Sequence, residues 1–234
     1  MRIINLILKR LFDILSTFVV IILLIPLWIV IPIIIKCDSK GPVFFVQRRR
    51  TKNGKVFKML KFRSMVVNAE KTGTGLFNYE NDVRITKFGK FLRKSSIDEL
   101  PQLFNIFIGQ MSVIGPRPCV EYELGEFETL TKRYKKRFQM KAGLTGLAQT
   151  KGRNSVGWDA KVGFDNEYID KFKKYGVLLD IKILFQSVFK VAKKNDIVEQ
   201  KVEGATSAEE SARLAEEEII RLAHIPDEEK EATA

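Results

Sequence analysis

The sequence predicts an α+β protein with an N-terminal membrane-inserted segment, on three observations. Ile14 to Ile35 is a run of 22 uncharged residues interrupted by Pro26 and Pro32. Two β-rich stretches, GPVFFVQ (41–47) and VFKMLKFRSM (56–65), flank Asn53-Gly54, a pair suited to a hairpin turn. Beyond them helix-period segments alternate with short extended pieces.

As a helix, the apolar run would reach about 33 Å, enough to cross a hydrocarbon core of about 30 Å. No small-residue cleavage site follows, so a cleaved leader is not expected. Pro26 removes a backbone donor, frees the Ile22 carbonyl and pushes Ile25 away from helical geometry; Pro32 repeats the disruption. Lys9 and Arg10 precede the run, and Lys36, Lys40, Arg48, Arg49 and Arg50 follow it. Basic residues on both flanks favour both ends on the cytoplasmic side. A kinked span and a helix-break-helix that returns to its own side both remain open here. Asp13 reads as the i, i+4 ion partner of Lys9.

Elements then follow in order. Residues 68–82 are polar and Gly-dotted, a loop, and ITKFGKFLRK is a short basic amphipathic helix. LPQLFNIFIG is an apolar helix ending at Gly109, MSVIGPRP is extended, and EYELGEFETLTKRYKKRF reads as a charged helix. GLTGLAQ is extended; FDNEYIDKF and VLLDIKILFQSVFKVAKK are helices. The last pairs a wide apolar stripe with lysines, which suits a membrane interface or a core-facing helix equally. Ser207 and Glu210 form a capping box that starts an acidic helix ending before Pro226. The organisation is residues 1–36 as membrane segment, 37–195 as the main body and 196–234 as acidic tail.

Charge is unevenly spread along the 234 residues, whose net charge is +12. Residues 203–234 hold 10 acids and 3 bases, leaving 37 bases against 18 acids in the rest. A body that basic expects anionic partners: nucleic acid, an anionic membrane surface or phosphorylated substrates. The two cysteines form no zinc spacing, and the single histidine, His224, lies in the acidic tail. The body therefore has no imidazole for a Ser-His or Cys-His nucleophile. Carboxylates, Lys, Arg, Ser and Thr must carry any chemistry, and oxygen ligands favour Mg2+ or Mn2+.

The stretch KSSIDELPQLFN sets Asp98 and Glu99 side by side in this basic chain. Ser96 and Glu99 match a capping box, but Pro101 would then fall where a helical donor is needed. Asp98 as N-cap fits better, with Pro101 at the third helical position. Two adjacent carboxylates there could also hold a divalent ion, or one could attack phosphorus. Arg93, Arg117 and Arg153 would offset phosphate charge.

KRLFD, FRSM, FGKFLRKSSIDELPQLFNIFIGQMSVIGPRP, GLTGLAQTKGRN and FDNEYI occur in that order. Over roughly residues 5–195 the chain resembles the bacterial sugar transferases of the monotopic phosphoglycosyl transferase family, the polyprenyl-phosphate hexose-1-phosphate transferases. The resemblance implies transfer of a sugar-1-phosphate from a UDP-sugar to polyprenyl (undecaprenyl) phosphate, with release of UMP, by a ping-pong route using Mg2+. It makes Asp98 the nucleophile, gives the metal to Glu99 with Asp98, and puts phosphate on Arg93, Arg117 and Arg153. It also implies a monotopic protein: a re-entrant helix broken at Pro26, a small β-hairpin, and amphipathic interfacial helices around the active site. The expected place is the cytoplasmic face of the bacterial inner membrane. Expected partners are membrane lipid and downstream glycosyltransferases, not nucleic acid. Two positions depart from the family pattern: Ile25 replaces a serine before the helix-breaking proline, and Val83 replaces a proline in NDPRIT. The rival readings are a membrane-anchored nucleic-acid-binding protein and a scaffold whose acidic helix recruits a partner.

Overall fold

The computed structural model describes residues 3–77, 82–151, 157–192, 205 and 207–226. Two helices, α1 (Ile3–Leu23) and α2 (Ile25–Asp38), are bent by 64° at Leu24. Among the described residues no single helix is long and apolar enough to cross a membrane, but this bent pair passes the same test together. Pro26 in the first turn of α2 accounts for the break. The Trp28 indole donates to the Ile21 carbonyl at 3.1 Å, adding a bond across it. Pro32, expected to disrupt the chain again, lies inside α2, whose helix continues through it. Its ring fixes φ near the helical value, so the local loss is one donor.

Strands β1 (Phe44–Arg50) and β2 (Val56–Phe62) pair antiparallel, from Phe44 opposite Phe62 to Arg50 opposite Val56. Asn53 and Gly54 hold φ of 57° and 72°, the left-handed pair that a tight hairpin turn requires. Helix α3 (Lys87–Lys94) is capped by Thr86 Oγ1, which accepts from the Gly89 amide. A one-turn 3-10 segment (Ile97–Glu99) leads to α4 (Gln102–Phe107). The hairpin and α4 are locked by Asn105, whose carboxamide accepts from Leu60 N and donates to Lys58 O.

Strand β3 (Ser112–Ile114) pairs parallel with β4 (Gly143–Thr145). Between them the expected charged helix is not formed over its whole length. Residues 121–131 are mostly turns, and only α5 (Lys132–Lys136) and a 3-10 turn (Arg137–Gln139) are helical. Gly125, at φ 72°, interrupts the helical register, and Thr131 caps a new start by accepting from Tyr134 N. A short α6 (Leu147–Lys151), α7 (Trp158–Tyr175), α8 (Val177–Ala192) and α9 (Ala208–His224) complete the chain. Ser207 caps α9 through Glu210 N, as its sequence predicts.

The main core gathers Phe57, Met59, Ile106, Met111, Ile114, Ile169, Phe172 and Ile183, with Leu6, Phe12, Val20 and Trp28 of the bent pair packed against it. Lys9 does not pair with Asp13. Its ammonium reaches Asp180 at 2.6 Å and Ile114 O at 2.7 Å, while Asp13 accepts from Ser112 Oγ and Val113 N. A buried long-range site satisfies both charges better than the exposed flank of one helix. Helix α8 answers both readings of its stripe: Ile183 is buried, whereas Leu178, Phe185, Val188 and Phe189 are exposed. Helix α9 docks on the body, with Ile219 and Ala223 buried among Cys119, Leu124, Leu130 and Phe138.

Candidate active site

Gly89 lets α3 press onto the chain after β2: a β-carbon there would lie 1.9 Å from the Ser64 carbonyl. That contact sets the direction of α3, whose last turn carries Arg93. Ser96, left-handed at φ 57°, then turns the chain into the Ile97–Glu99 segment. The expected Asp98 cap is not formed. Asp98 lies within the 3-10 turn, and α4 starts at Gln102 with Pro101 before it. Proline supplies no amide, so i→i+3 bonds (Leu100 N to Ile97 O, Leu103 N to Leu100 O) carry the chain to α4 instead.

This turn points Asp98 and Glu99 into a cavity of about 1380 Å³, also lined by Lys61, Arg93, Arg117 and Gln149. Lys61 Nζ lies 2.9 Å from Glu99 Oε1. Asp98 is 8% exposed, and its carboxyl is pushed up to about 6. Burial is the main cause; Lys61 opposes it, Glu99 adds to it, and Arg93 opposes it. Among the described residues, neither Arg93 nor Arg117 makes an ion pair.

Arg117 is held from behind. The buried Arg137 donates to its carbonyl at 2.8 Å and pairs with Asp165 at 2.7 Å. Burial raises Asp165 to about 6, against the pull of Arg137. Arg49, half-buried and lining the same cavity, donates to Pro118 O and Gln47 Oε1. Burial lowers its pKa, but arginine starts so high that it stays charged.

Four of the sequence-predicted residues, Asp98, Glu99, Arg93 and Arg117, thus share one cavity. Arg153 lies outside the described residues. Pro26 is at the helix break, away from the cavity lining. Sequence reasoning passed over Lys61, Arg49 and Gln149. Lys61 had a signal: it continues the face of β2 that carries the buried Phe57 and Met59. Helix α9 was also missed as wall, since Ala215, Glu218, Ile219 and Leu222 line the same cavity.

Among the described residues no three His, Cys, Asp or Glu side chains cluster as a metal cage. The adjacent Asp98 and Glu99 suit the sparser protein ligation of Mg2+, which keeps waters and takes substrate phosphate oxygens.

The profile of the bacterial sugar transferase family matches residues 4–194. A UDP-glucose:undecaprenyl-phosphate glucose-1-phosphate transferase of Klebsiella pneumoniae is 42% identical over 192 residues, covering 80% of this chain and 40% of that protein. A UDP-galactose-lipid carrier transferase of Erwinia amylovora is 38% identical over 202 residues, 80% of this chain and 41% of its own. The exopolysaccharide production protein ExoY of Rhizobium meliloti is 39% identical over 194 residues, 77% of this chain and 83% of that protein. The chain thus spans about two fifths of the first two and most of the third. A match over that much of the sequence, with the acid pair and its arginines gathered in one cavity, places the chain in the bacterial sugar transferase family.

Proposed function

We propose that this chain transfers a sugar-1-phosphate from a UDP-sugar to undecaprenyl phosphate, releasing UMP, at the cytoplasmic face of the bacterial inner membrane. The observation that carries the reading is the buried Asp98 beside Glu99, facing a cavity with two arginines that have no ion partner among the described residues. The names of the relatives agree with it.

A carboxylate oxygen of Asp98 attacks the β-phosphorus of the UDP-sugar. The bond from that phosphorus to the bridging oxygen breaks, and UMP leaves with the electron pair. A phosphate oxygen of the polyprenyl phosphate then attacks the same phosphorus, freeing Asp98 and forming a polyprenyl diphosphate sugar. Burial raises the basicity of Asp98, and at pH above about 6 it is ionised and ready to attack. Arg93 and Arg117 hold the diphosphate in line and take up charge in transfer. Lys61 holds Glu99 in place. Asp98 and Glu99 would hold Mg2+, which supplies charge neutralisation to the phosphates.

The geometry of the bent pair supports a re-entrant helix rather than a kinked span. Near its start, Lys9 is tied to Asp180, and Arg10 donates to the Ile106 and Phe107 carbonyls, both at 2.7 Å. At its end, Arg63 donates to the carbonyls of Ile35, Ser39 and Lys40. Both ends are thus fixed to one body. The exposed Phe18, Phe91, Phe107, Phe185 and Phe189 would meet lipid, and the product would be substrate for downstream glycosyltransferases.

The test is a single turnover of purified protein with radiolabelled UDP-sugar and Mg2+ in detergent, without acceptor. Label should stay on the chain, map by mass spectrometry to the peptide containing Asp98, and leave when polyprenyl phosphate is added. Release of UMP only when both substrates are present, with no labelled protein, would exclude the covalent route. Cysteines placed at residues 2 and 40 should both label from the cytoplasmic side; labelling from opposite sides would exclude the re-entrant form.

A further inference from the structure

The carboxamide of Gln149 is the least satisfied polar group at this site. Gln149 is 7% exposed, lines the cavity, and neither its Oε1 nor its Nε2 has a hydrogen-bond partner among the described residues. A small recess beside it is shared with Lys61, Glu99 and Arg117. Its placement is firm. The neighbours Leu147 and Ala148 are buried, and Thr150 N bonds back to Gly146 O. A β-carbon at Gly146 would meet the Gly115 carbonyl at 2.1 Å and would also come to 3.0 Å from Gln149 Oε1, so glycine there keeps this turn close-packed beside the amide.

A buried amide with neither bond made is costly, and one that lines an open cavity has its capacity turned toward whatever enters that cavity. The chemistry of that ligand follows from the amide itself. Nε2 needs an acceptor, and Oε1 needs a donor. An ionised phosphate only accepts, so it leaves Oε1 unsatisfied. A hydroxyl or an imide does both. On the reading above, the UDP-sugar carries sugar hydroxyls, ribose hydroxyls and a uracil imide, whereas the headgroup of polyprenyl phosphate carries none of these.

We infer that Gln149 recognises the donor substrate, hydrogen-bonding a neutral hydroxyl or imide group of the UDP-sugar, and takes no part in recognising the polyprenyl phosphate. The inference rests on the proposed reaction. Gln149 would then let one basic cavity that serves two phosphorylated substrates tell them apart.

The experiment uses the full chain in detergent and the variants Gln149→Leu and Gln149→Glu. Gln149→Leu should weaken UDP-sugar binding and raise its KM by about 10- to 100-fold. The KM for polyprenyl phosphate should stay within about 2-fold, and the thermal midpoint without substrate should hold or rise, since an unpaired amide has been removed. Gln149→Glu keeps an acceptor and loses the donor, so it should also weaken UDP-sugar binding. Titration with UMP separates the sources. An equal loss for UMP assigns the contact to uracil or ribose; UMP binding unchanged while UDP-sugar binding falls assigns it to the transferred sugar. A lowered midpoint with unchanged KM, or equal increases in both KM values, would overturn the inference. Wild-type protein that releases UMP from no UDP-sugar would instead remove the underlying reaction.

Discussion

Two groups of buried charge, made from similar side chains, behave oppositely. Around Asp180 each charge has a bonded partner: Lys9 reaches Asp180 and Ile114 O, Tyr168 OH donates to Asp180 at 2.8 Å, and Asp13 Oδ1 accepts from Ser112 and Val113. Around Asp98 the charges face a cavity, no other side chain hydrogen-bonds to Asp98 among the described residues, and two arginines have no ion partner there. The first group fastens α1 to α8 and β3. The second keeps its capacity for a ligand. Burial of charge alone therefore does not mark a site; burial with capacity left over does.

The largest expected effect separates the two directly. Asp98→Asn should lower turnover by at least about 1000-fold, because the proposed nucleophile is gone. It should also raise stability at neutral pH. The folded pKa of Asp98 is raised to about 6 from an ordinary 3.8. An acid raised on folding contributes its full stability below the unfolded value and loses it as pH rises through the folded one. The wild type therefore carries a penalty above about pH 6, on the order of 3 kcal/mol, that the asparagine variant escapes. Thermal melts of both proteins should differ at pH 7.5 and converge below pH 4. Equal midpoints at pH 7.5 would mean that Asp98 is not strained by its burial.

The converse substitution sits in the other group. Lys9→Met leaves Asp180 buried without its cation and should cost about 3–5 kcal/mol, while each folded molecule keeps its turnover. Measured per folded molecule, a fall of more than a few-fold would mean that the anchor also shapes the cavity. Lys9→Met with Asp180→Asn should cost less than the two single losses added, the sign of direct coupling.

These two groups were not equally legible. The acid pair stands out in a basic sequence because local composition marks it. Lys9 and Asp13 were misread because i, i+4 spacing offers a local partner, whereas the real partners lie 171 residues away at Asp180 and about 100 away at Ser112 and Val113. The same limit explains Lys61 and Gln149, whose roles come from elements that only folding brings together. Hairpin and caps were readable because Asn53-Gly54, Thr86 and Ser207 act within a few residues. The helix expected over residues 121–138 breaks in its first half for a local reason: Gly125 takes a left-handed φ of 72°, which outweighs the helix-favouring charged residues around it.

A middle-sized effect tests whether the open group works by ionisation. Release of UMP in a single turnover should rise with pH through about 6 and then level, following Asp98 to its charged form. A profile flat from pH 5 to 8 would assign the attack to another group. Arg117→Ala should lower turnover by about 10- to 1000-fold with little change in the thermal midpoint, since its side chain faces the cavity and its carbonyl remains bound to Arg137.

The smallest effect concerns α9, which touches the open group without belonging to the matched region, since the family match ends at residue 194. Its apolar side buries Ile219 and Ala223, and Thr131 N donates to Ala223 O at 3.0 Å. Its acidic side brings Glu218 to the cavity wall and Glu216 close by, where burial, followed by the charge of Glu123, raises the Glu216 pKa. An anionic ligand in this basic cavity would also face the negative charge of Glu218. Deleting residues 205–234 should therefore leave the single-turnover chemistry of Asp98 intact and change the KM for UDP-sugar by only a few-fold. The stability loss should be about 2–4 kcal/mol, from re-exposing the surface that Ile219 and its neighbours cover. A KM that falls on deletion would show the acids repelling substrate; one that rises would show the wall holding it. A single-turnover rate that collapses with the fold intact would mean that α9 shapes the open group itself, and the boundary between scaffold and site would have to be drawn further out.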